Sequence, residues 1–393
     1  MKNIWSLVFC ACCQLLLVGC HDKLELPREE LERVVVVYMM GENSLSTYAQ
    51  HDLSEIRRSM SQIPDKCKMA VFFDNSRTDQ MPQVLVFDNK GSEKTLFTYR
   101  NDPVSTDSAT LQGVLNMVIK KCPARNYGLV MWSHGSGWLP ARGKRTIGID
   151  NGRNSTIQNT GFEMEVTTLA NVLRHTHKVW DYVMFDACFM QSVEVCYELR
   201  DVTHWCIASP AEIPANGAPY DQLIETLFLP TEEAWKIAEQ YHEYYSLRSG
   251  VVISAVDVSQ MDVLADATAQ VIRKMQPYPS TDDIQQYLYV DDMPVDALGE
   301  KPNLPHFYDI GSAMRHWLDD SYYAQWKAAL EAAVPHYYLS PTWMTDYNDS
   351  PYAITDPVHA CGLSLFIPTE GNRLNDSFSK TAWAKRVYLN ETL

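Results

Sequence analysis

The most constraining feature of the sequence is a series of continuous apolar runs that are rich in β-branched residues. The run at 33–40, RVVVVYMM, shows no alternation between polar and apolar residues. Such a run predicts a strand that is covered on both faces, as in a parallel sheet. Further runs, most of them separated by predicted helices, lie at 68–75, 126–132, 180–187, 204–210 and 250–259. The pattern predicts an α/β fold: a doubly wound, mostly parallel sheet with helices on both faces.

The domain organisation follows from where this pattern stops. A chain of 393 residues is long enough for one large domain or two ordinary ones. We assign residues 33–276, which include a predicted hairpin around 89–91, to one α/β domain. A stretch rich in Pro and Asp then interrupts the pattern. We therefore expect 277–393 to be a C-terminal extension, helical and mixed, that packs on the first domain and returns a late strand, GLSLFIP, at 362–368.

The N-terminus has the features of an export signal. Lys2 precedes an apolar run at 5–18 that is too short to cross a membrane comfortably. The run ends in LVGC, which resembles the lipobox of bacterial lipoproteins and predicts removal of residues 1–19 and lipidation of Cys20. Residues 20–32 are then a tether, and the absence of Asp after Cys20 permits sorting to the outer membrane of a Gram-negative cell. An ordinary signal peptide or a weak anchor is the alternative.

Charge and cysteine content argue against several classes of protein. The formal net charge of −16 argues against a nucleic-acid partner, because phosphate binding needs a basic face. An acidic surface could attract cationic peptides or Ca²⁺, although solubility is the simpler explanation. Six of the ten cysteines lie beyond the signal, and they form no CxxC pair. Neither a disulfide framework nor a zinc site is predicted.

Two of the predicted strands end in reactive side chains. In an open parallel sheet, sites form beyond the carboxyl ends of the strands. His134 follows one such strand, and Cys188 follows another, just ahead of a predicted helix whose dipole favours a thiolate. Each residue alone is more often structural. Together they predict a thiolate nucleophile and an imidazole proton donor, with the N–H groups of Gly135 and Cys188 as an oxyanion hole.

The segments around these two residues carry a resemblance to a known family. MWSHGSGW at 131–138 and FDACFM at 185–190 resemble the clostripain-type cysteine peptidases, in the same clan as caspases and gingipains. ASPAEIPANGAPY at 208–220 and GLSLFIP are similar to later segments of that family. The resemblance covers roughly residues 33–370, which is nearly all of the expected mature chain.

The resemblance implies a caspase-like fold, with 33–276 as the catalytic domain, and endopeptidase activity on peptide or protein substrates. Matched by position, Cys188 is the nucleophile and His134 the general acid/base that protonates the leaving amine. Asp186 matches the family acid that lines the primary specificity pocket and binds an Arg or Lys side chain. Where relatives commonly have a second acid, this chain has Asn216, so preference for basic residues should weaken, or Lys should be lost relative to Arg.

Two kinds of loop add further expectations. Some relatives are processed between the His and the Cys, where this chain has a basic segment with Lys144 and Arg145 as a candidate for self-cleavage. A solvated loop is an equally good interpretation of that segment. Some relatives also need Ca²⁺, and the acid-containing loops GIDNGRN at 148–154 and YVDDMPVDA at 289–297 leave Ca²⁺ possible as a cofactor. Neither loop fits the EF-hand pattern, and solvated loops are the simpler reading.

The sequence therefore predicts an exported, lipid-anchored cysteine endopeptidase that cleaves after Arg or Lys. One alternative keeps the same His134 and Cys188 pair but gives it a non-basic specificity. The other is an inactive caspase-like binding module on the cell envelope, although the intact His and Cys weigh against it.

Overall fold

The computed structural model describes residues 30–77, 79–139, 147–153, 161–275, 279–287, 306–345 and 348–388. The strands are β1 (Leu31–Gly41), β2 (Cys67–Asn75), β3 (Gln83–Phe87), β4 (Glu93–Thr98), β5 (Ala124–Trp132), β6 (Ile147–Asp150), β7 (Phe162–Met164), β8 (Trp180–Asp186), β9 (Thr203–Ala208), β10 (Val252–Asp257), β11 (Tyr308–Asp309), β12 (His336–Leu339), β13 (Thr342–Thr345), β14 (Asn348–Ala353) and β15 (Ser364–Leu365). The helices are α1 (Ser46–Ser59), α2 (Ser108–Lys121), α3 (Val166–His175), α4 (Val193–Leu199), α5 (Tyr220–Leu223), α6 (Lys236–Ser246), α7 (Met261–Ile272), α8 (Ile310–Trp317), α9 (Asp320–Ala333), α10 (Asn375–Phe378) and α11 (Ala382–Val387).

Nine of these strands form one sheet, in the order β12-β10-β9-β8-β5-β1-β2-β3-β4. The five central strands from β9 to β2 are mutually parallel. At one side β10 pairs antiparallel with β9, and at the other β3 pairs antiparallel with β2. The predicted mostly parallel α/β sheet is confirmed, and β3 and β4 form the predicted hairpin.

Strand β1 shows why the apolar runs lack alternation. Its side chains point alternately to the two faces, and both faces are covered by hydrophobic layers. Helices α2, α3, α4 and α7 contribute to one layer, and α1, α5 and α6 to the other. The fully buried residues of β1 include Val34, Val36, Tyr38 and Met40 on one face and Val35, Val37 and Met39 on the other. Double burial therefore accounts for an uninterrupted run of apolar residues.

Described segments beyond residue 276 contact the earlier part of the chain. Strand β12 pairs with β10 and forms one edge of the main sheet. The late strand β15 pairs instead with β11 in a separate two-stranded sheet. The N–H of Ser364 in β15 donates to the carbonyl of Gln191 at 3.0 Å, which ties this segment to the chain just after Cys188. Among the described residues, no helix has the length and apolar character needed to cross a membrane.

Candidate active site

The loops that carry His134 and Cys188 leave the sheet side by side. Strands β5 and β8 are parallel neighbours, and their last residues, Trp132 and Asp186, lie opposite each other in the register. The N–H of Ser133 also meets the carbonyl of Asp186 at 3.4 Å. The register therefore places both loops together at the carboxyl edge of the sheet, where sites of parallel sheets form.

Gly135 allows the two loops to touch. A Cβ at this position would lie 2.6 Å from the carbonyl oxygen of Cys188 and 3.0 Å from the Cβ of Ala187. Gly137 has a φ of +65°, and a Cβ there would lie 2.7 Å from the carbonyl oxygen of Phe189. A larger residue at either position would push the His134 loop away from the Cys188 loop.

Cys188 is half-buried, and its sulfur meets backbone from a third segment. The N–H of Ile213, beyond β9, donates to Sγ at 3.4 Å. An N–H donor stabilises a thiolate. Helix α4 begins at Val193, with its N-cap at Ser192, five residues after the first loop residue Ala187. The N–H at the sulfur thus comes from the Ile213 segment and not from the predicted helix that follows the Cys188 loop.

His134 is held through both its ring and its backbone. Its Nε2 lies 2.9 Å from Oγ of Ser44, which follows β1. Its carbonyl accepts a hydrogen bond from the N–H of Gly148 at 2.9 Å. Loss of solvent around the ring lowers the pKa of His134 to about 4. The imidazole is therefore neutral at pH 7 and able to accept a proton.

Asp186 is a buried carboxylate in which one oxygen accepts hydrogen bonds and the other has no partner among the described residues. Its side chain is only 3% exposed. Oδ2 accepts hydrogen bonds from the N–H of Ala218 at 2.9 Å and the hydroxyl of Tyr220 at 3.2 Å. Oδ1 is buried and has no hydrogen-bond partner among the described residues. Burial raises the pKa of Asp186 to about 6, against the effect of these two donors.

Further polar side chains surround Asp186. The hydroxyl of Tyr241 is buried and unpartnered in the part of the chain that the structure describes. Burial and then the charge of Asp186 raise the pKa of Tyr241 well above its usual range. Asp52 on α1 accepts a hydrogen bond from Nε1 of Trp132 at 2.7 Å. Burial, followed by the charge of Asp186, raises the pKa of Asp52 to about 9.

Asp52 was missed by the sequence reasoning. A signal for it was present, because Asp52 falls between the buried residues Ala49, Leu53 and Ile56 on the inward face of α1. An acid at helical spacing within an apolar face is uncommon unless it has a partner or a function.

Asn216 lies beside this group without reaching its interior. Its side chain is exposed, at the surface of the turn in which Gly217 N–H donates to the carbonyl of Pro214 at 2.9 Å. The next residue, Gly217, is where the turn meets Asp186, since a Cβ there would lie 2.9 Å from Oδ2. Gly217 has a φ of +60°, which a glycine adopts at no steric cost.

Several predicted residues lie outside the described residues. They are Cys20, the basic pair Lys144 and Arg145, and the acidic loop at 289–297. Of the other acidic loop, residues 148–153 are described. Its Asp150 accepts hydrogen bonds from the hydroxyl of Ser105 and the N–H of Gly152, both at 2.9 Å.

A His and a Cys at adjacent strand ends of a doubly wound sheet are the arrangement expected of a cysteine peptidase of caspase-like fold. The comparisons with known proteins agree. The model of the clostripain family, peptidase family C11, matches residues 37–340. The chain belongs to the clostripain family, and it is a cysteine-type endopeptidase.

Solved structures share the fold over nearly the whole chain. An inactive zymogen C11 protease from Parabacteroides distasonis is 26% identical, with a TM-score of 0.78, over 93% of this chain and 100% of its own. A secreted C11 cysteine protease from Bacteroides thetaiotaomicron, solved with an irreversible peptide inhibitor, is 26% identical with a TM-score of 0.77, over 91% and 99% of the two chains. The predicted caspase-like fold is therefore confirmed. A search of curated proteins found no match.

Proposed function

We propose that the protein cleaves peptide bonds after Arg, and less efficiently after Lys, with Cys188 as nucleophile and His134 as general acid/base. The observation that carries the specificity is the unpartnered, buried Oδ1 of Asp186, two residues before Cys188. A buried carboxylate oxygen without a donor is costly, and a guanidinium supplies N–H donors and a compensating charge.

The hydrogen-bonding character of this region suits Arg more than a neutral side chain. Arg carries only donors, and both Oδ1 of Asp186 and the hydroxyl oxygen of Tyr241 can accept from it. Asp52 adds a second acid close enough to interact with Asp186. A guanidinium can contact two acceptors at once, whereas a Lys ammonium is a single point charge. We therefore expect Arg to be favoured over Lys.

The proposed mechanism begins with neutral His134. Its imidazole takes the proton of the Cys188 thiol, and the thiolate attacks the scissile carbonyl carbon. The N–H groups of Gly135 and Cys188 stabilise the resulting oxyanion. The imidazolium then protonates the leaving amine as the C–N bond breaks, which leaves an acyl-enzyme. A water molecule gives a proton to His134 and attacks the thioester. As the C–S bond breaks, the acid leaves and the imidazolium returns the proton to the sulfur, which restores the thiol and the neutral imidazole.

The test is cleavage of fluorogenic peptides that end in Arg, Lys, Asp or Ala before the reporter group. We expect release from Arg first and Lys second, and a loss of at least about 1,000-fold in Cys188→Ala. Cys188-dependent release that favours Ala or Asp would show a non-basic specificity. No Cys188-dependent release from any peptide would favour a binding module.

We also propose that residues 1–19 are removed and that the protein is held on a bacterial membrane through a lipidated Cys20, facing the periplasm or the cell surface. The LVGC sequence supports this proposal. Mass spectrometry of the N-terminal peptide from membranes tests it, with Cys20→Ser as control. An acylated Cys20 is expected, and a mature N-terminus at another residue without acyl chains would contradict the proposal.

Self-cleavage at Lys144 or Arg145 is a further proposal. It is supported by the match of these residues to the preference proposed for the enzyme, and by a relative described as an inactive zymogen. Intact mass spectrometry of the wild type beside Cys188→Ala tests it. We expect two fragments that separate after residue 144 or 145 only in the wild type; identical intact masses would remove the proposal.

A further inference from the structure

The residue directly after Cys188 has a backbone conformation that is uncommon for its type. Phe189 has a φ of +60°, in the left-handed region that favours glycine. A bulky residue stays in this region only where the surrounding structure holds it there. Because Phe189 is the immediate neighbour of Cys188, the groups that hold its backbone also fix where the thiol lies.

Phe189 is held by a backbone hydrogen bond and by an aromatic ring from the C-terminal part of the chain. Its N–H donates to the carbonyl of Ala211 at 3.0 Å. Its ring is 1% exposed and is stacked on the ring of Phe307, with centroids 5.0 Å apart and planes inclined by 18°. Phe307 is 0% exposed and lies beyond the domain that we assigned to residues 33–276. The stack therefore joins the C-terminal extension to the Cys188 loop.

The ring of Phe307 also lies against the His134 loop. Gly137 follows His134 by three residues, and a Cβ on it would lie 2.8 Å from Cε1 and 3.0 Å from Cζ of Phe307. The same Cβ would lie 2.7 Å from the carbonyl oxygen of Phe189. The backbone of the His134 loop thus approaches the ring as closely as a glycine permits. Gly137, Phe189 and Phe307 meet at one point between the two loops.

Phe307 is fixed in place by its own segment. Its carbonyl accepts a hydrogen bond from the N–H of Tyr287 at 2.8 Å. Strand β11 begins at the next residue and pairs with β15. From β15, the N–H of Ser364 donates to the carbonyl of Gln191 at 3.0 Å. The segment that carries the ring is therefore tied to the chain just after the Cys188 loop.

A second point of contact between the loops fixes their relative orientation. At Gly135 the His134 loop touches the carbonyl of Cys188 and the side chain of Ala187. Phe307 adds the contact at Phe189. Two points of contact fix both the separation and the angle of the loops. These quantities matter for the reaction, because proton transfer requires donor and acceptor within hydrogen-bond reach or one water apart.

We propose that Phe307 is a positioning residue that holds the Cys188 and His134 loops in the arrangement needed for catalysis. Its side chain has no group that hydrogen bonds or titrates, so its contribution is geometric. The inference rests on the proposed roles of Cys188 and His134, but it does not depend on the preference for Arg.

Phe307→Leu keeps a buried apolar side chain but removes the flat ring. We expect kcat for the best peptide substrate to fall about 10- to 100-fold with KM changed by less than about twofold, because the ring contacts the loops that carry out the reaction. Phe307→Met is a milder variant, since Met fills an irregular space at similar volume, and its kcat should fall about threefold to tenfold. Both are assayed well below their melting temperatures. A kcat for Phe307→Leu within about twofold of the wild type would overturn the proposal.

Leu330→Ala is the control for a general loss of core packing. Leu330 is 4% exposed and belongs to the same hydrophobic layer, on α9, which packs against α7 and α8. This variant should lower the melting temperature at least as far as Phe307→Leu does, because it leaves a cavity. Its kcat should stay within about twofold of the wild type. Equal losses of kcat in the two variants would mean that lost packing alone is responsible, which overturns the proposal.

Alkylation of Cys188 by iodoacetamide gives a readout that needs no peptide substrate. The other five cysteines in the part of the chain that the structure describes are buried, and mass spectrometry of the peptide with Cys188 follows the reaction at that residue. We expect the alkylation rate at pH 7 to fall several-fold in Phe307→Leu and to stay unchanged in Leu330→Ala, because thiolate formation depends on the neighbouring loop. A rate in Phe307→Leu equal to that of the wild type would overturn the proposal. If the wild type cleaves no peptide, the proposed function fails, and the alkylation rates still decide the positioning role.

A double-mutant cycle tests the link between the two rings. Phe189→Leu removes the partner of Phe307 in the stack. If Phe307 acts through Phe189, the double variant should lose clearly less kcat than the product of the two single losses. Losses that multiply would show that the two rings act independently, which contradicts the proposed link.

Discussion

Two groups of acids lie at the same edge of the sheet, and they differ in how their oxygens are satisfied. Asp186, beyond β8, has one oxygen held by Ala218 and Tyr220 and one without a partner. Glu42 and Asp74, beyond β1 and β2, have four oxygens without a partner. One open acceptor among aromatic hydroxyls suits an organic cation that brings several donors. Four open acceptors without donors leave burial to raise the pKa values of both Glu42 and Asp74.

Asp186→Asn gives the largest expected effect and tests whether the two groups are separate in function. The amide removes the charge that faces the substrate, so kcat/KM for Arg peptides should fall by about 30- to 1,000-fold, equivalent to about 2–4 kcal/mol for a buried charge partner. Asp74→Asn, an equally buried acid at the same edge, is the matched control. In Asp74→Asn, the ratio of kcat/KM for Arg peptides to kcat/KM for Ala peptides should equal the wild-type ratio. A changed ratio would mean that Asp74 also affects which side chain the enzyme prefers.

The pH dependence gives the next largest effect. Asp186 has a pKa raised by burial to about 6, so its carboxylate forms as the pH rises through 6. Thus kcat/KM for Arg peptides should rise with pH through that point, and at pH 5 it should be about tenfold below its plateau. His134, with its pKa lowered to about 4, stays neutral over this range. The rising limb should be absent from the profile of Asp186→Asn; its persistence there would assign the titration to another group.

Asp52→Asn should have a smaller effect. Burial and the charge of Asp186 raise the pKa of Asp52 to about 9, so at pH 7 Asp52 is protonated and brings no charge to a substrate, whereas burial raises the pKa of Asp186 only to about 6. We expect kcat/KM for Arg peptides to fall about threefold to tenfold, within the range for the loss of one hydrogen bond from the guanidinium to a neutral carboxyl. His51→Gln, which alters the exposed neighbour of Asp52, is the control. Equal losses for the two variants would mean that the effect comes from the surface and not from the pocket.

Asn216→Asp should have the smallest effect. It restores an acid where relatives commonly have one, but the side chain is exposed, where a charge is screened by solvent. We expect turnover of Lys and Arg peptides to rise about twofold to fivefold at low salt and less at high salt. Peptide assays at two salt concentrations measure this. No change for either peptide would remove Asn216 from the pocket.

Much of the fold could be predicted because its cause is local. Continuous apolar runs and the helices between them indicate a doubly covered sheet wherever they occur in a chain. The antiparallel pairing of β10 with β9 could not be predicted from the sequence, because a continuous apolar run is compatible with a parallel or an antiparallel buried strand. The placement of β15 beside β11 also depended on distant segments that no local pattern describes.

The sequence by itself determined the class of sheet and the family, because the apolar runs indicate the sheet and short motifs indicate the family. The same motifs predict the two reactive residues, His134 and Cys188. Only the tertiary structure decided which groups meet. It placed the N–H of Ile213 at Cys188, Asp52 near Asp186, and Glu42 beside Asp74 and Asp102. The physical reason is that strand register and burial join segments far apart in the chain, and burial then sets which polar atoms lack partners.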